Sequence, residues 1–201
     1  MNPYKHAELS VKRRGGNISD YYPIHSFMDT TKELCSDNRH RILHNHWGIR
    51  RVIIPIFGPK IQLENKTINI KDMLEEDHLL PDFRNKFIPT LADFVEAIDD
   101  DPKLNHQIDQ CFKLYQDQTD IAELLLSPLH ITGKTKSLLL THNSWFIQSI
   151  LPKIFKHIKH SLIEHSIPSN EIFKRMKFRN WMDNGATYPP SADRVPKNIE
   201  L

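Results

Sequence analysis

Residues 44–57, HNHWGIRRVIIPIF, align without a gap on residues 142–155, HNSWFIQSILPKIF. The offset is 98 residues, and six of the fourteen positions are identical: His, Asn, Trp, Ile, Ile and Phe. Val52/Ile150 and Ile53/Leu151 are near-equivalents, and Pro55 and Pro152 fall close to the same place. An offset of about half the chain points to duplication of one helical unit. The predicted fold is therefore mostly α: two related helical halves packed about a pseudo-two-fold axis. A buried His and Asn beside a Trp need hydrogen-bond partners, which the equivalent pair of the other half can supply. That reading makes Trp47, Trp145 and the two His-Asn pairs a structural seam.

Outward from the repeat, most of the chain reads as helix. Residues 4–14 form a short amphipathic helix stopped by Gly15-Gly16, and Asp20 and Pro23 open a second over about 23–35. Asp37 or Asn38 caps a third that runs to Phe57. Between 60 and 70 the period changes to two: Ile61 and Leu63, then Ile68 and Ile70, flank Glu64-Asn65-Lys66-Thr67, the pattern of a small β-hairpin. Helix resumes over 71–80, over 90–98 behind Thr90, and from Pro102 to about Tyr115. A tract from Lys134 to His165 is helical except where Pro152 kinks or ends it, and Ser169 caps a last helix to Met182. The end of the chain, from Gly185, reads as a proline-rich arm. Asp99-Asp100-Asp101-Pro102 is the natural break, dividing 1–98 from 99–201.

The chain of 201 residues is 39% hydrophobic and 26% charged, which is the composition of a soluble globular protein. No apolar run approaches the ~20 residues that span a bilayer. Residues 1–25 contain no apolar signal region, so a cytoplasmic protein without a membrane partner is expected. Cys35 and Cys111 form no CxxC pair, which excludes a zinc ribbon and a dithiol redox motif. The net charge of +2 conceals three blocks: +5 over 1–60, −9 over 61–124 and +6 over 125–201. The basic ends either attract an anionic partner or dock on the acidic middle.

Twelve histidines are the unusual feature. Residues four apart share a helix face, and His25/Asp29 and His40/His44 have that spacing. Imidazole and carboxylate are ordinary ligands of Zn, Fe or Mn, and paired helices present them in this way. Glu76, His78 and Asp82 complete a candidate site if their segment folds over the first helices. The expected centre is a divalent metal held by His25, Asp29, His40, His44 and His78. If it is catalytic, the reaction is hydrolysis by a metal-bound water, with Glu76 or Asp82 as base. The alternative for these histidines is a hydrogen-bonded core, with Asp29 paired to Lys32 or Arg39.

Other motifs fail. Gly133-Lys134-Thr135 lacks the glycine of a phosphate-binding loop, because Pro128 stands there. No GxSxG or GxGxxG is present. The stretch Lys174–Arg179 followed by Trp181 supplies cations and stacking groups, so Arg175, Lys177, Arg179 and Trp181 are candidates for contact with nucleic acid or a protein partner. That is the competing class: a non-catalytic interaction module acting through basic ends.

The N-terminal half resembles an uncharacterised, histidine-rich family of bacterial and phage proteins. The residues that carry the likeness are His6, Arg14-Gly15-Gly16, Tyr22-Pro23-Ile24-His25, Asp29, Lys32 and Arg39-His40-Arg41. They continue through His44, Gly48-Ile49, Phe57-Gly58, Glu76, His78, Asp82 and the run Ile88–Phe94. Met28 departs from an aromatic, and the spacing around His44-Asn45 is altered. The resemblance implies no activity, a phage or defence origin for an interaction module, and a common environment for His25, Asp29, His40 and His78.

Overall fold

Helices begin where the sequence offers caps. In the computed structural model, which describes residues 1–194, the Asn2 side chain caps α1 (Pro3–Arg14) by accepting from Lys5 N, with Pro3 in the first turn. Three basic residues close α1, and Gly15 ends it at φ 72°. Asn17 and Asp20 form a capping box at the start of α2 (Ile18–Met28). The helix expected over 38–57 is instead a series of short turns. A 3₁₀ segment, Asn38–Leu43, is capped by Asp37; after a bend at His44, Asn45 caps α3 (His46–Gly48). A π-helical turn, Ile49–Ile53, then leads into α4 (Ile54–Phe57).

The expected hairpin is present: β1 (Lys60–Gln62) pairs antiparallel with β2 (Thr67–Asn69), Ile61 opposite Ile68. It runs directly into α5 (Ile70–Leu74), a second π-helical turn over Glu75–Leu79, and α6 (Leu80–Asp82). Asp93 and Thr90 cap each other's ends at the start of α7 (Leu91–Glu96).

The chain divides into two compact units, one of Met1–Asp93 with the described residues from Phe178 onward, the other Phe94–Lys177. In the first unit, Met28, Leu43, Ile49, Ile53, Ile70, Met73 and Phe83 are buried. The tail from Phe178 belongs to it: Trp181 is buried near Phe83, Arg41 donates to the Met182 carbonyl, and Ser191 hydrogen-bonds Asp93. The remainder of the proline-rich arm, from 195, lies outside the described residues.

The second unit contains α8 (Pro102–Tyr115), capped by Asp101 as the acidic break suggests, and α9 (Thr119–Thr132). No capping side chain marks the start of α9 as clearly. Pro128 interrupts its pattern, but Ser127 Oγ donates at 2.7 Å to the Leu124 carbonyl, which proline leaves without an N–H. The tract from 134 to 165 is not one helix. It comprises a 3₁₀ segment (Thr135–Leu140), a third π-helical turn (Phe146–Ile150), α10 (Leu151–Ile154) and α11 (His160–Glu164). The last helix, α12 (Asn170–Arg175), is shorter than expected.

All three π turns have the same cause in the sequence. Pro55, Pro81 and Pro152 each stand two residues after the turn ends. A proline inside a helix clashes with the carbonyl four residues back and offers it no N–H. Widening the preceding turn by one residue relieves the clash.

The repeated motif builds the same local structure twice. In each copy a 3₁₀ segment is followed by a buried His and an Asn, whose side-chain carbonyl accepts from the N–H three residues on: Gly48 N at 3.0 Å and Phe146 N at 3.0 Å. The Asn amide donates back to Ile42 O in one copy and to Leu139 and Leu140 O in the other. A π turn and a proline follow in both, and Trp47 and Trp145 are buried.

Candidate metal centre

Each break in the helices of the first unit places a polar side chain inside it. His6 lies on the buried face of α1 and His25 on that of α2; Asp29 follows the end of α2. His40 comes from the 3₁₀ segment and His44 from the bend before Asn45. The second π turn carries Asp77 and His78, and α6 carries Asp82. All of these side chains are no more than 4% exposed.

Backbone carbonyls orient two of the imidazoles. His6 donates through Nδ1 to the Asp77 carbonyl at 2.6 Å, and His40 donates through Nδ1 to the Asp37 carbonyl at 2.6 Å. Pro81, four residues beyond Asp77, has no N–H to compete for that carbonyl. The Nε2 atoms of both rings therefore point inward. His6 Nε2 lies 3.2 Å from Asp82 Oδ1, and His40 Nε2 lies 3.5 Å from Asp29 Oδ1. His44 Nε2 sits between the two carboxylates, 3.5 Å from Asp29 Oδ1 and 3.3 Å from Asp82 Oδ2, and 3.0 Å from His78 Nε2. The His6 and His78 rings stack with centroids 3.9 Å apart.

The electrostatics follow from burial. Burial alone would raise the Asp29 carboxyl, but the imidazoles of His40 and His44 against it hold it well below the usual carboxylate range. Asp82 is held down in the same way by His44 and His6, against the opposing effect of burial. Lys32 and the guanidinium of Arg41 add positive charge at 2.9 Å from Asp29 and 3.4 Å from Asp82, and the α-amino group of Met1 also pairs with Asp82. Burial, reinforced by the neighbouring His6, pushes His25 down to about 3, and it pushes His78 well below its ordinary value. Burial thus favours the neutral form of both rings.

His6 Nε2, His40 Nε2 and Asp29 Oδ1 are buried and accept no hydrogen bond from the protein. Buried polar atoms without partners are rare, and each costs about 1–3 kcal/mol. A cation in the candidate groups would engage His6 or Asp29. Donors sharing one ion through ~2.1 Å bonds stand roughly 3.0–3.4 Å apart, and the contacts described here run from 3.0 to 3.5 Å. Two triads, His6/His78/Asp82 and Asp29/His44/His78, each have their donor atoms within 4.8 Å of one another.

Of the residues singled out by spacing, the fold brings together Asp29, His40, His44, His78 and Asp82. His25 lies behind His78, with Nδ1 2.9 Å from His78 Nδ1. Glu76 is on the surface, its carboxylate on Arg14 at 2.5 Å. Sequence reasoning did not place His6 or Asp77 in the site. The i, i+4 pairing of His6 with Ser10 on the buried face of α1 was the available signal. Elsewhere, Arg175 pairs with Asp101 at 2.6 Å and with Glu171, and Lys177 with Asp99 at 2.8 Å. Trp181 is buried, while Lys177 and Arg179 are exposed.

The fold and the cluster thus define a helical protein with buried His/Asp groups able to hold a metal ion. A family model described as a domain of unknown function (DUF6915) matches residues 1–104, just over half of the chain, and the chain belongs to that family. Every residue of the cluster lies within the matched segment. No curated protein and no solved structure matches it. Among the described residues, no helix is long and apolar enough to cross a membrane.

Proposed function

We propose that the first unit is a divalent-metal-binding domain, its ion held by Nε2 of His44 and His78 and by the carboxylates of Asp29 and Asp82, with His6 and His40 at the two ends of the donor set. The observation that carries this reading is the convergence of buried donor atoms: backbone carbonyls hold Nδ1 of His6 and His40, and their Nε2 atoms lie 3.2 Å from Asp82 Oδ1 and 3.5 Å from Asp29 Oδ1. A proton or a cation must lie between such atoms, and one divalent ion serves several of them at once. Imidazole with carboxylate suits Zn, Fe or Mn better than Mg or Ca.

Metal-dependent hydrolysis would need a base beside the ion. Glu76 points to solvent and Asp82 belongs to the donor set, so the residues support metal binding more directly than turnover. The basic stretch near the C-terminal end gives less support to a nucleic-acid reading, since Arg175 and Lys177 are already paired.

Elemental analysis of the purified protein, followed by zinc titration against a chromogenic chelator, tests the proposal. Stoichiometric metal in the wild type and its loss in Asp29→Asn and Asp82→Asn are expected. Absence of stoichiometric uptake by the folded wild-type protein would refute it.

A further inference from the structure

Behind His78 a file of hydrogen bonds leads away from the donor cluster. His78 Nδ1 lies 2.9 Å from His25 Nδ1, His25 Nε2 lies 2.9 Å from Ser10 Oγ, and Ser10 Oγ lies 2.9 Å from Asp77 Oδ2. Ser10, His25, Asp77 and His78 are wholly buried. Arg13 at 2.9 Å and Arg14 at 2.6 Å hold the far end, so Asp77 is a carboxylate.

The direction of every bond follows from that end. A carboxylate only accepts, so the Ser10 hydroxyl donates to Asp77. With its one proton used, Ser10 Oγ accepts from His25, whose Nε2 therefore carries the hydrogen. A neutral His25 then has a bare Nδ1, and His78 must donate to it through its own Nδ1. The nitrogen of His78 left without a proton is Nε2, the atom 3.0 Å from His44 Nε2.

We propose that Asp77, Ser10 and His25 are positioning residues that fix His78 as the Nδ1–H tautomer and so present its Nε2 lone pair to the metal. This inference rests on the metal-centre reading above and gives His25 a supporting place instead of a ligand's. Asp77 serves the cluster twice: its carboxylate sets His78 through Ser10 and His25, while its carbonyl sets His6 directly. Ligating histidines are commonly held through their second nitrogen, and the loss of such a partner weakens metal binding about 10–100-fold.

The test combines zinc affinity with long-range ¹H–¹⁵N spectra that report which nitrogen of His78 is protonated. In the wild type, His78 should carry its proton on Nδ1, with or without zinc. His25→Phe and Ser10→Ala should bind zinc about 10–100-fold more weakly. His25→Asn, whose amide oxygen falls near the lost Nδ1 and accepts from His78, should recover most of the affinity. A purely packing role for His25 would not distinguish Asn from Phe in this direction. Should His25→Phe fail to fold, Ser10→Ala and the wild-type spectrum decide the matter. A wild-type His78 protonated on Nε2, or variants matching wild type in both affinity and tautomer, would overturn the inference. If the wild type takes up no zinc, the metal reading fails, and the zinc-free spectrum still decides the hydrogen-bond chain.

Discussion

Replacing His142 tests the physics of a buried histidine at a distance in sequence from the candidate metal site. The ring is wholly buried in the second unit, with Nε2 2.6 Å from the Tyr115 hydroxyl and Nδ1 donating to the Leu138 carbonyl at 3.0 Å. Burial is the main cause that pushes its pKa down to about 4, against an ordinary 6.5. Between those values the unfolded chain binds a proton that the folded chain does not, so stability rises with pH. The contribution is complete above about pH 6.5 and is lost progressively as the pH falls to about 4, below which no more is lost. At ~1.4 kcal/mol per pKa unit the full loss is about 3 kcal/mol, and about 2 kcal/mol of it falls between pH 7 and pH 5. His142→Gln keeps a buried amide able to donate to Leu138 and accept from Tyr115, and it removes the titration. Urea denaturation of both proteins at pH 7 and pH 5 cancels every other titrating group. The wild type should lose about 2 kcal/mol more than the variant between the two conditions. A difference unchanged within ~0.5 kcal/mol would refute the view that this histidine is held neutral by burial.

Trp145→Ala should destabilise by roughly 3–5 kcal/mol in urea denaturation, since the indole is 8% exposed; a loss below ~1 kcal/mol would place it at the surface. Gly48→Ala puts a Cβ within 2.8 Å of the Leu43 backbone, so it should cost about 1–3 kcal/mol by urea denaturation and weaken zinc uptake by shifting the bend that carries His44. Pro81→Ala restores an N–H that competes with His6 for the Asp77 carbonyl. Zinc affinity, measured by chelator competition, should then fall about tenfold; unchanged affinity would show that the proline does not govern His6.

The sequence disclosed what local chemistry decides. The Asp37 cap, the Gly15 stop, the period-two hairpin and the acidic start of α8 are all visible because each depends on a few adjacent residues. The i, i+4 spacing found His40, His44 and Asp29, although neither of the histidines stands on a regular α-helix. Their convergence comes from a 3₁₀ segment and a bend, for which period 3.6 was only a surrogate. Pro152, expected to kink or end its helix, instead follows a π turn, as Pro55 and Pro81 do. His6 was missed for a related reason. Its partner is a backbone carbonyl 71 residues away, made available by Pro81, and no spacing rule records such a contact.

The two copies of the His-Asn motif show why the repeat did not disclose the site. His44 and His142 are both wholly buried, and both precede an Asn that caps the next turn. What differs is the surrounding side chains. At the same 98-residue offset, His6, Asp29, His40 and His78 are answered by Leu104, Ser127, Leu138 and Met176, all buried. His142 is left with a tyrosine hydroxyl and a carbonyl, which satisfy a neutral imidazole completely. His44 meets two carboxylates and another imidazole, a set of buried groups that could hold a metal ion. The motif is therefore a way of turning the chain while burying one histidine. Whether that histidine becomes core or ligand is decided by the residues that other segments bring to it.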